Sequence, residues 1–180
     1  MAGRGSSLGM GPVAKSPAES VVEMAQLLLP GDANSLGAAF GGTVIGWIDI
    51  CGAIAAQRHC RQIVVTASMD DLHFHEPIKV GWTAILKARV LAAFTSSMEV
   101  GVTVHSENPL TGERKLTTSA LLTFVALAQD GGRLGVPPLL LQTTDEQRAN
   151  EAALERRKER LTRRGQGASW HELVAKSHSS

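Results

Sequence analysis

A single acid lies in an otherwise uncharged segment of this 180-residue chain. Asp49 is the one charged residue in residues 41–57, GGTVIGWIDICGAIAAQ, and no Lys, Arg or His lies one helical turn from it on either side. Burial of a carboxylate without a partner is unfavourable, because its charged form loses its hydration. An acid retained in such surroundings is therefore a candidate for acid–base or nucleophilic chemistry.

Residues 41–57 are predicted to form a buried helix. Val44, Ile48, Cys51 and Ala55 recur at helical spacing and form one apolar face. The remaining faces are also apolar or small, so we expect the helix to be covered on most sides. The glycines of this segment lower its helix propensity, which indicates that other backbone approaches the helix closely.

Asp49 shares a stripe of this helix with Gly42. At 3.6 residues per turn the two residues lie within roughly 40° of one another. The start of a helix carries N–H groups without intrahelical partners and a partial positive charge, which can polarise a carbonyl oxygen. A carboxylate about two turns along can activate water or attack the carbonyl carbon, most readily from a facing subunit. The combination predicts acyl transfer or hydrolysis.

Period-2 alternation predicts strands on both sides of the helix. The apolar residues of the strand after the helix occupy odd positions from Ile63 to Met69, and the phase then shifts, so we expect a bulge near Asp70 and Asp71. Glu99 falls on the polar face of its strand. The predicted strands are Val21–Leu29, Ile63–Met69, Ala84–Phe94, Met98–Val104 and Lys115–Leu127.

A second helix is predicted near the C-terminus, where Thr143-x-x-Glu146 forms a capping box. Its acids at i,i+4 spacing, Glu151, Glu155 and Glu159, repel one another, so its charge pattern is not that of an ideally stabilised helix, and its face is expected to be mostly solvated. The predicted organisation is a disordered tail (1–18), one folded domain (19–130), a Pro-containing linker with the charged helix (131–164) and a flexible tail (165–180).

The element order predicts an α+β fold in which an antiparallel sheet wraps around one long central helix, with an exposed C-terminal helix. One helix cannot cover a wide sheet, so we expect oligomerisation. The formal net charge of +1 gives no electrostatic attraction toward nucleic acid, and no apolar run approaches the roughly 20 residues that cross a bilayer. Cys51 and Cys60 do not make a disulfide framework and are expected to be reduced thiols of a cytoplasmic protein.

Four segments together resemble the hotdog-fold acyl-CoA thioesterases, in particular the brain-type cytosolic acyl-CoA hydrolases and the short YciA-like bacterial enzymes. The similarity runs from about Glu23 to Arg160. The segments are LLPGDANSLGAAFGGTVIGWIDICGAIAAQRHC, VVTASMDDLHFHEPIKVGW, FTSSMEVGV and VPPLLLQTTDEQR.

The resemblance implies roles for particular residues. Asp49 matches the acid that serves as base or nucleophile, and Asn34 matches a loop asparagine that positions water or the thioester. Gly41 and Gly42 match the glycine pair whose backbone N–H binds the thioester oxygen, whereas Ala38 stands where family members often have a polar residue. Weaker candidates for contacting coenzyme A are Arg58, Thr95, Ser96 and Ser97.

Family sites lie between two subunits, and the dimers commonly gather into hexamers. We therefore expect a homodimer with sites at its interface, assembled as a trimer of dimers. The resemblance implies no metal or separate cofactor, since coenzyme A is part of the substrate. The acyl-chain length stays open, because pocket depth depends on side chains that converge across the interface.

Other motifs favour structural roles. His73 and His75 share one strand face and could bind a metal ion, but no third ligand with suitable spacing is evident. His59 and Cys60 are adjacent and so do not face each other on a helix. The basic run 156–164 could attract coenzyme A phosphates, although such runs are more often a solvated helix face.

The sequence thus predicts an acyl-CoA hydrolase with Asp49 as general base or nucleophile and the amide of Gly42 as the oxyanion donor. The alternative is a non-catalytic acyl-CoA-binding regulatory or interaction protein on the same fold. A hydratase on this fold pairs an Asp with a nearby His, and no His follows Asp49 before His59.

Overall fold

One long helix packs against a single antiparallel sheet of five strands. The computed structural model describes residues 12–166. Along the sheet the strands follow the order β1-β3-β4-β5-β2, so β1 and β2 are its edges. This arrangement confirms the predicted α+β fold. The elements are β1 (Val22–Leu27), α1 (Gly41–Cys60), β2 (Ile63–Phe74), β3 (Thr83–Ala93), β4 (Ser97–Glu107), β5 (Arg114–Leu127) and α2 (Thr144–Gln166).

The core lies between α1 and the inner face of the sheet. The predicted helix face, including Val44 and Ile48, is buried against the apolar positions of β3 and β4, as their period-2 patterns predicted. A Cβ added at Gly52 would lie 3.1 Å from the Phe124 ring, so the helix packs very closely against β5 at this point. The predicted apolar positions of β3 and β4 that are buried are Ala84, Leu86, Ala88, Val90, Ala92, Met98, Val100, Val102 and Val104.

The other side of α1 is open in the single chain. Gly42, Gly46 and Ile50 are exposed, although the helix was predicted to be covered on most sides. The rest of α1 except Gln57 and Arg58 is buried or half-buried, so the prediction holds apart from this side, which the sheet of a single chain does not cover. The neighbouring edge strand β2 also exposes Ile63 and Val65.

Two irregularities shape β2. The predicted bulge is confirmed by a register shift between Asp70 and His73, where Asp71 adopts a left-handed conformation (φ 48°). A second shift, between Thr66 and Ser68, was not predicted. Val64 packs against the core, whereas the odd positions expected to form the apolar inner face are exposed at the start of the strand.

Helix α2 lies on the outer face of the sheet. Its capping box is confirmed, because Thr143 Oγ1 accepts from the Glu146 amide at 3.2 Å and a Glu146 carboxylate oxygen accepts from the Thr143 amide at 3.1 Å. The helix is mostly exposed, as predicted, but it covers Glu99, whose side chain is 0 % exposed. The polar face of β4 is therefore covered by α2 at Glu99, which the alternation pattern did not predict.

The described part of the N-terminal segment packs beside the linker that precedes α2. The Lys15 amide donates to the Pro138 carbonyl at 2.9 Å, and the Leu140 amide donates to the Lys15 carbonyl at 2.8 Å. The rest of the two predicted tails, residues 1–11 and 167–180, lies outside the described residues. None of the helices in residues 12–166 is long and apolar enough to span a membrane.

Candidate active site

Asp49 is held by one side chain, on the edge strand. Thr66 Oγ1 donates to Asp49 Oδ1 at 2.6 Å, and the carboxyl group is partly exposed. No other residue in the described part of the chain donates a hydrogen bond or forms an ion pair with it. The second oxygen, Oδ2, therefore keeps its lone pairs for a ligand or a water molecule.

The regular pairing of β2 with β5 before the shift explains how Thr66 reaches the acid. Thr66 is the last residue paired in register with β5 before the shift to Ser68. Val64 and Thr66 both turn toward α1, and an inward β-hydroxyl in a strand is well placed to donate to a helix side chain. Sequence reasoning missed this partner, because the apolar odd positions of β2 suggested that the even positions faced away from the helix.

The N-terminus of α1 has no side-chain cap. The N-cap residue is Phe40, which cannot accept a hydrogen bond through its side chain. The amides of Gly41 and Gly42 have no partner among the described residues, whereas those of Thr43 and Val44 donate to the Phe40 carbonyl. Two N–H groups are thus left at the positive end of the helix dipole, where a carbonyl oxygen can accept from them.

Two aromatic rings flank this helix end. A Cβ at Gly42 would lie 3.0 Å from Phe40 Cε1, and a Cβ at Gly41 would lie 3.6 Å from Phe74 Cζ. Both rings are more than half exposed, so they border the open side of the helix rather than the core. A side chain at position 42 would therefore require the exposed Phe40 ring to shift. Sequence reasoning did not assign either ring to the site, since an isolated Phe in a loop or strand carries no site signal.

Asn34 is fixed by its own loop. Its Oδ1 accepts from the amides of Leu36 at 2.9 Å and Ala38 at 3.3 Å, as in an Asx turn. Because two N–H groups point at this oxygen, the orientation of the side-chain amide is determined. Its Nδ2 has no partner within residues 12–166, so Asn34 presents two donor hydrogens.

Asn34 and Gly41 line a common cleft of about 400 Å³, whose other walls are mainly apolar and include Val44, Phe74 and Ile78. Asp49 is not part of this cleft, since two helical turns, about 10 Å, separate it from the helix N-terminus. One chain therefore presents two half-sites: a donor half with Asn34 and the helix end, and an acid half with Asp49 and Thr66.

The residues expected to contact coenzyme A lie apart from both half-sites. Arg58 Nη1 donates to the Val21 carbonyl near the far end of α1. Ser96 and Ser97 line a different cleft, under α2. Thr95 is exposed in the same turn, and its carbonyl accepts from the Val136 amide at 3.1 Å. Their roles toward coenzyme A stay predictions.

The remaining reactive side chains serve other purposes. The His73 and His75 rings stack at 6.2 Å between centroids, and no group of three metal-ligating side chains occurs in the described chain. Burial raises the pKa of the Cys51 thiol to about 11 and also raises that of Cys60. Thiols with raised pKa values are poor nucleophiles. His59 is buried, with Nε2 at 2.7 Å from the Pro137 carbonyl.

Comparison with known proteins identifies the family. Residues 36–113 match the Thioesterase superfamily. An acyl-CoA thioester hydrolase of Bacillus subtilis is 40% identical over 146 residues, which are 81% of this chain and 85% of that protein. This chain belongs to the acyl-CoA thioester hydrolases of the thioesterase superfamily. It matches a much longer thioesterase as well: rat acetyl-coenzyme A thioesterase is 37% identical over 78% of this chain, which spans a quarter (25%) of that protein.

Solved thioesterase structures superpose closely. An apo-hexameric acyl-CoA thioesterase is 39% identical, with a TM-score of 0.82 over 86% of this chain and 100% of that chain. An alanine variant of a Staphylococcus aureus acyl-CoA hydrolase, in complex with coenzyme A, is 33% identical, with a TM-score of 0.85 over 92% of this chain and 99% of that chain.

The Staphylococcus aureus hydrolase has been studied through three alanine variants, at an asparagine, an aspartate and a threonine. Its aspartate follows the asparagine by 15 positions, and its threonine follows the aspartate by 17. Asn34, Asp49 and Thr66 have the same two separations in this thioesterase.

Proposed function

We propose that this protein hydrolyses acyl-CoA thioesters to the free acid and coenzyme A. The observation that carries the proposal is the pair of half-sites. An accessible carboxylate has one hydroxyl donor and an unoccupied oxygen, and an uncapped helix end lies beside a fixed side-chain amide. Hydrolysis needs a base to activate the attacking water, which the carboxylate can supply. It also needs hydrogen-bond donors for the carbonyl oxygen, which the helix end and the side-chain amide can supply.

The donor half polarises the thioester. Asn34 Nδ2 and the backbone N–H of Gly42 donate hydrogen bonds to the carbonyl oxygen and stabilise the negative charge that develops on it. Asn34 is suited to this role, because its Oδ1 is already occupied by Leu36 and Ala38 and cannot compete for water. The apolar cleft beside it, of about 400 Å³, takes the acyl group.

The acid half supplies the attack. Asp49 takes a proton from a water molecule, whose oxygen bonds to the carbonyl carbon to give a tetrahedral intermediate. The intermediate collapses as the C–S bond breaks, and the proton is passed from Asp49 to the leaving thiolate. Thr66 fixes the rotamer of the acid through Oδ1, which leaves Oδ2 to act as the base. None of these steps uses a metal ion or a redox cofactor.

The two halves meet across a dimer. Asp49 and Gly42 of one chain are too far apart to act on one carbonyl group, so the acid of one copy faces the donor half of the next. The open side of α1 exposes Ile50, and the edge strand β2 exposes Ile63 and Val65. The hexameric structure of a similar thioesterase supports assembly of such dimers into a trimer of dimers.

The spacing in the Staphylococcus aureus hydrolase supports the same three residues. An asparagine, an aspartate and a threonine at equal separations were chosen for replacement in that enzyme, and a solved complex of it holds coenzyme A. The same separations in this chain support the roles proposed here for Asn34, Asp49 and Thr66.

The test is hydrolysis of a series from acetyl-CoA to palmitoyl-CoA, followed by release of the coenzyme A thiol. We expect turnover by the wild type and a loss of roughly 10²–10⁴-fold in kcat for Asp49→Asn, as for removal of a general base. Glu155→Gln, on the exposed face of α2, is the matched control and should keep full activity. Binding of acyl-CoA without turnover in the wild type would support the regulatory alternative and contradict the proposal.

A single turnover in ¹⁸O-labelled water distinguishes the two possible roles of Asp49. If Asp49 is the general base, the first acid released carries the solvent label. If Asp49 attacks the carbonyl carbon itself and water then opens the resulting anhydride at the Asp49 carbon, the label remains on the protein in that turnover. We expect the label in the released acid.

A further inference from the structure

Thr118 is a buried polar residue in the cleft assigned above to the acyl group, and no step of the proposed mechanism uses it. This acyl cleft, of about 400 Å³, begins at Asn34 and Gly41 of the donor half-site. Thr118 lies on β5 and is 1% exposed, yet it forms part of the cleft wall. Its buried neighbours in the wall, Val44 and Ile78, are apolar. A hydroxyl group therefore stands in an otherwise apolar, buried part of the acyl cleft.

The sheet register places Thr118 near the helix end that faces the carbonyl oxygen. Thr118 is paired with the buried Val104 on β4 and with Phe74 on β2. Directly paired residues project on the same face, with Cβ atoms about 5 Å apart. The Phe74 ring in turn reaches the start of α1, because a Cβ at Gly41 would lie 3.6 Å from Phe74 Cζ. One aromatic side chain thus separates Thr118 from the donor half-site.

The hydroxyl of Thr118 is unpaired and open to the acyl cleft. The adjacent Thr117 Oγ1 donates to the Val104 carbonyl at 3.0 Å, whereas Thr118 Oγ1 has no hydrogen-bond partner within residues 12–166. Three other unpaired polar atoms of the described chain, on His59, Gln62 and Thr123, are closed off from solvent. Thr118 Oγ1 is not closed off in this way, and the opening beside it is the acyl cleft. A buried hydroxyl without a partner is unfavourable, so a polar group in the cleft would stabilise it.

The other polar side chains of the acyl cleft favour a neutral ligand group. Asn34 is assigned to the carbonyl oxygen, and His75 Nε2 lies 3.1 Å from Ser119 Oγ. Glu76 is exposed at the cleft and forms no salt bridge with a described cation. Its negative charge repels an acyl group that ends in a carboxylate. A hydroxyl group, in contrast, can both donate to and accept from Thr118 Oγ1.

We propose that the acyl cleft accepts an acyl group that carries a neutral hydroxyl group, and that Thr118 Oγ1 forms a hydrogen bond with that group. The inference rests on the proposed function, because it names the class of acyl-CoA that the same site hydrolyses. It makes Thr118 a specificity-determining residue. It also places the hydroxyl group several bonds beyond the thioester carbonyl, at the distance that Phe74 spans.

The test compares hexanoyl-CoA with hydroxyhexanoyl-CoA analogues that carry the hydroxyl group on each carbon from the third to the sixth. For the analogue whose hydroxyl reaches Thr118, we expect the wild type to show a kcat/KM roughly 3- to 10-fold above that for hexanoyl-CoA, which leaves Thr118 unpaired. Adipyl-CoA, which has the same length and a terminal carboxylate, should be hydrolysed more slowly than hexanoyl-CoA because of Glu76.

Substitutions of Thr118 assign this preference to one atom. Thr118→Val keeps the shape of the side chain and removes the hydroxyl, so the ratio of kcat/KM between the preferred analogue and hexanoyl-CoA should fall roughly 3- to 10-fold. Thr118→Ser keeps the hydroxyl and should retain the ratio. The matched control is Thr103→Val on the neighbouring strand, since Thr103 is paired with Ser119 and faces away from α1. It should leave the ratio unchanged.

Three results would overturn the proposal. They are a wild type that prefers hexanoyl-CoA to every hydroxylated analogue, a wild type that prefers adipyl-CoA, and a preference that persists in Thr118→Val. Urea denaturation tests the premise that the hydroxyl has no partner in the protein. Thr118→Val should unfold at a urea concentration equal to or above that of the wild type. A clearly lower midpoint would show that the hydroxyl is bonded within the assembled protein, and would contradict the proposal.

Binding distinguishes failure of this inference from failure of the proposed function. Thioethers of the S-(2-oxoalkyl)-CoA type keep a carbonyl group but cannot be hydrolysed, and calorimetric titration compares them with and without the hydroxyl group. If the proposed function is wrong, no acyl-CoA is turned over, whereas the Thr118-dependent preference for the hydroxylated thioether persists. If only this inference is wrong, hexanoyl-CoA is hydrolysed and the two thioethers bind equally well to the wild type and to Thr118→Val.

Discussion

Two acids of this chain, Asp49 and Glu99, face opposite sides of the sheet and have opposite surroundings. Asp49 is partly exposed and accepts one hydrogen bond, from Thr66. Glu99 is fully buried under α2 and accepts hydrogen bonds from Arg156 and Arg160, at 2.6–3.1 Å. The acid proposed for catalysis has an unoccupied oxygen, whereas both oxygens of the structural acid are occupied.

The difference follows from what each carboxylate must do. A base needs a free lone pair and access to water, so its protein partners orient it without using all its acceptor sites. A buried carboxylate without such a task is stable only when charged donors replace its lost hydration. Burial and saturation together therefore mark Glu99 as part of the contact that docks α2.

Replacing each of the two acids by alanine, one at a time, distinguishes an effect on activity from an effect on stability. Asp49→Ala should reduce kcat by about three orders of magnitude and change the free energy of unfolding by less than about 1 kcal/mol, because its carboxylate is partly exposed. Activity and urea denaturation at fixed protein concentration measure the two effects. A large loss of stability in Asp49→Ala would remove the distinction between the two acids.

Glu99→Ala should have the reverse effect. It leaves Arg156 without a partner and Arg160 with Asp70 alone, and we expect the free energy of unfolding to fall by about 3 kcal/mol. Urea denaturation measures the loss. Glu155→Ala removes the exposed Glu155–Lys158 pair and should cost less than about 1 kcal/mol. Equal effects of the two substitutions would show that the buried contact does not hold α2.

The same contrast explains what the sequence could predict. Asp49 was identified because its isolation is a local property, readable within two helical turns. The buried positions of β3 and β4 were also predictable, since both strands lie inside the sheet and their patterns are set by one core. The environment of Glu99 was not, because the residues that bury it lie 57 and 61 positions later in the chain.

Thr66 was missed for a different reason. The apolar Ile63 and Val65 at the start of β2 are exposed, whereas Thr66 lies on the opposite face, toward α1, so the hydrophobic pattern indicated the wrong face of this edge strand. The free amides at Gly41 and Gly42, in contrast, were expected because the first N–H groups of any helix have no intrahelical partner. Local chemistry at a helix end is thus more predictable than the orientation of an edge strand.

Substitution of Thr66 tests whether a single hydrogen-bond donor is sufficient to orient Asp49. Thr66→Val keeps the shape of the side chain and removes the hydrogen bond to Asp49 Oδ1, so we expect kcat to fall roughly 10- to 100-fold. Thr66→Ser retains the hydroxyl and should stay within about threefold of the wild type. Steady-state kinetics on one acyl-CoA substrate are sufficient. If valine and serine behave alike, the hydroxyl has no role in positioning Asp49.

His59 extends the comparison to a group that is buried like Glu99 but only half satisfied. Its Nε2 lies 2.7 Å from the Pro137 carbonyl, so Nε2 carries the proton, and the buried Nδ1 has no partner among the described residues. Burial lowers the pKa of this imidazole, and the nearby Lys15 charge lowers it further, against the opposing effect of the Pro137 hydrogen bond. The folded protein therefore contains neutral His59.

This lowered pKa predicts the sign of a pH effect. Below about pH 6.5 the unfolded chain gains a proton at His59 that the folded protein does not accept, so stability falls with pH by up to about 1.4 kcal/mol per unit until the folded pKa is reached. His59→Gln can still donate to the Pro137 carbonyl but does not titrate. We expect the loss of stability between pH 7 and pH 5.5, measured by urea denaturation, to be smaller in this variant. Equal losses of stability in the two proteins would contradict this. They would mean that His59 is protonated in the folded state and that its Nδ1 donates a hydrogen bond to an acceptor.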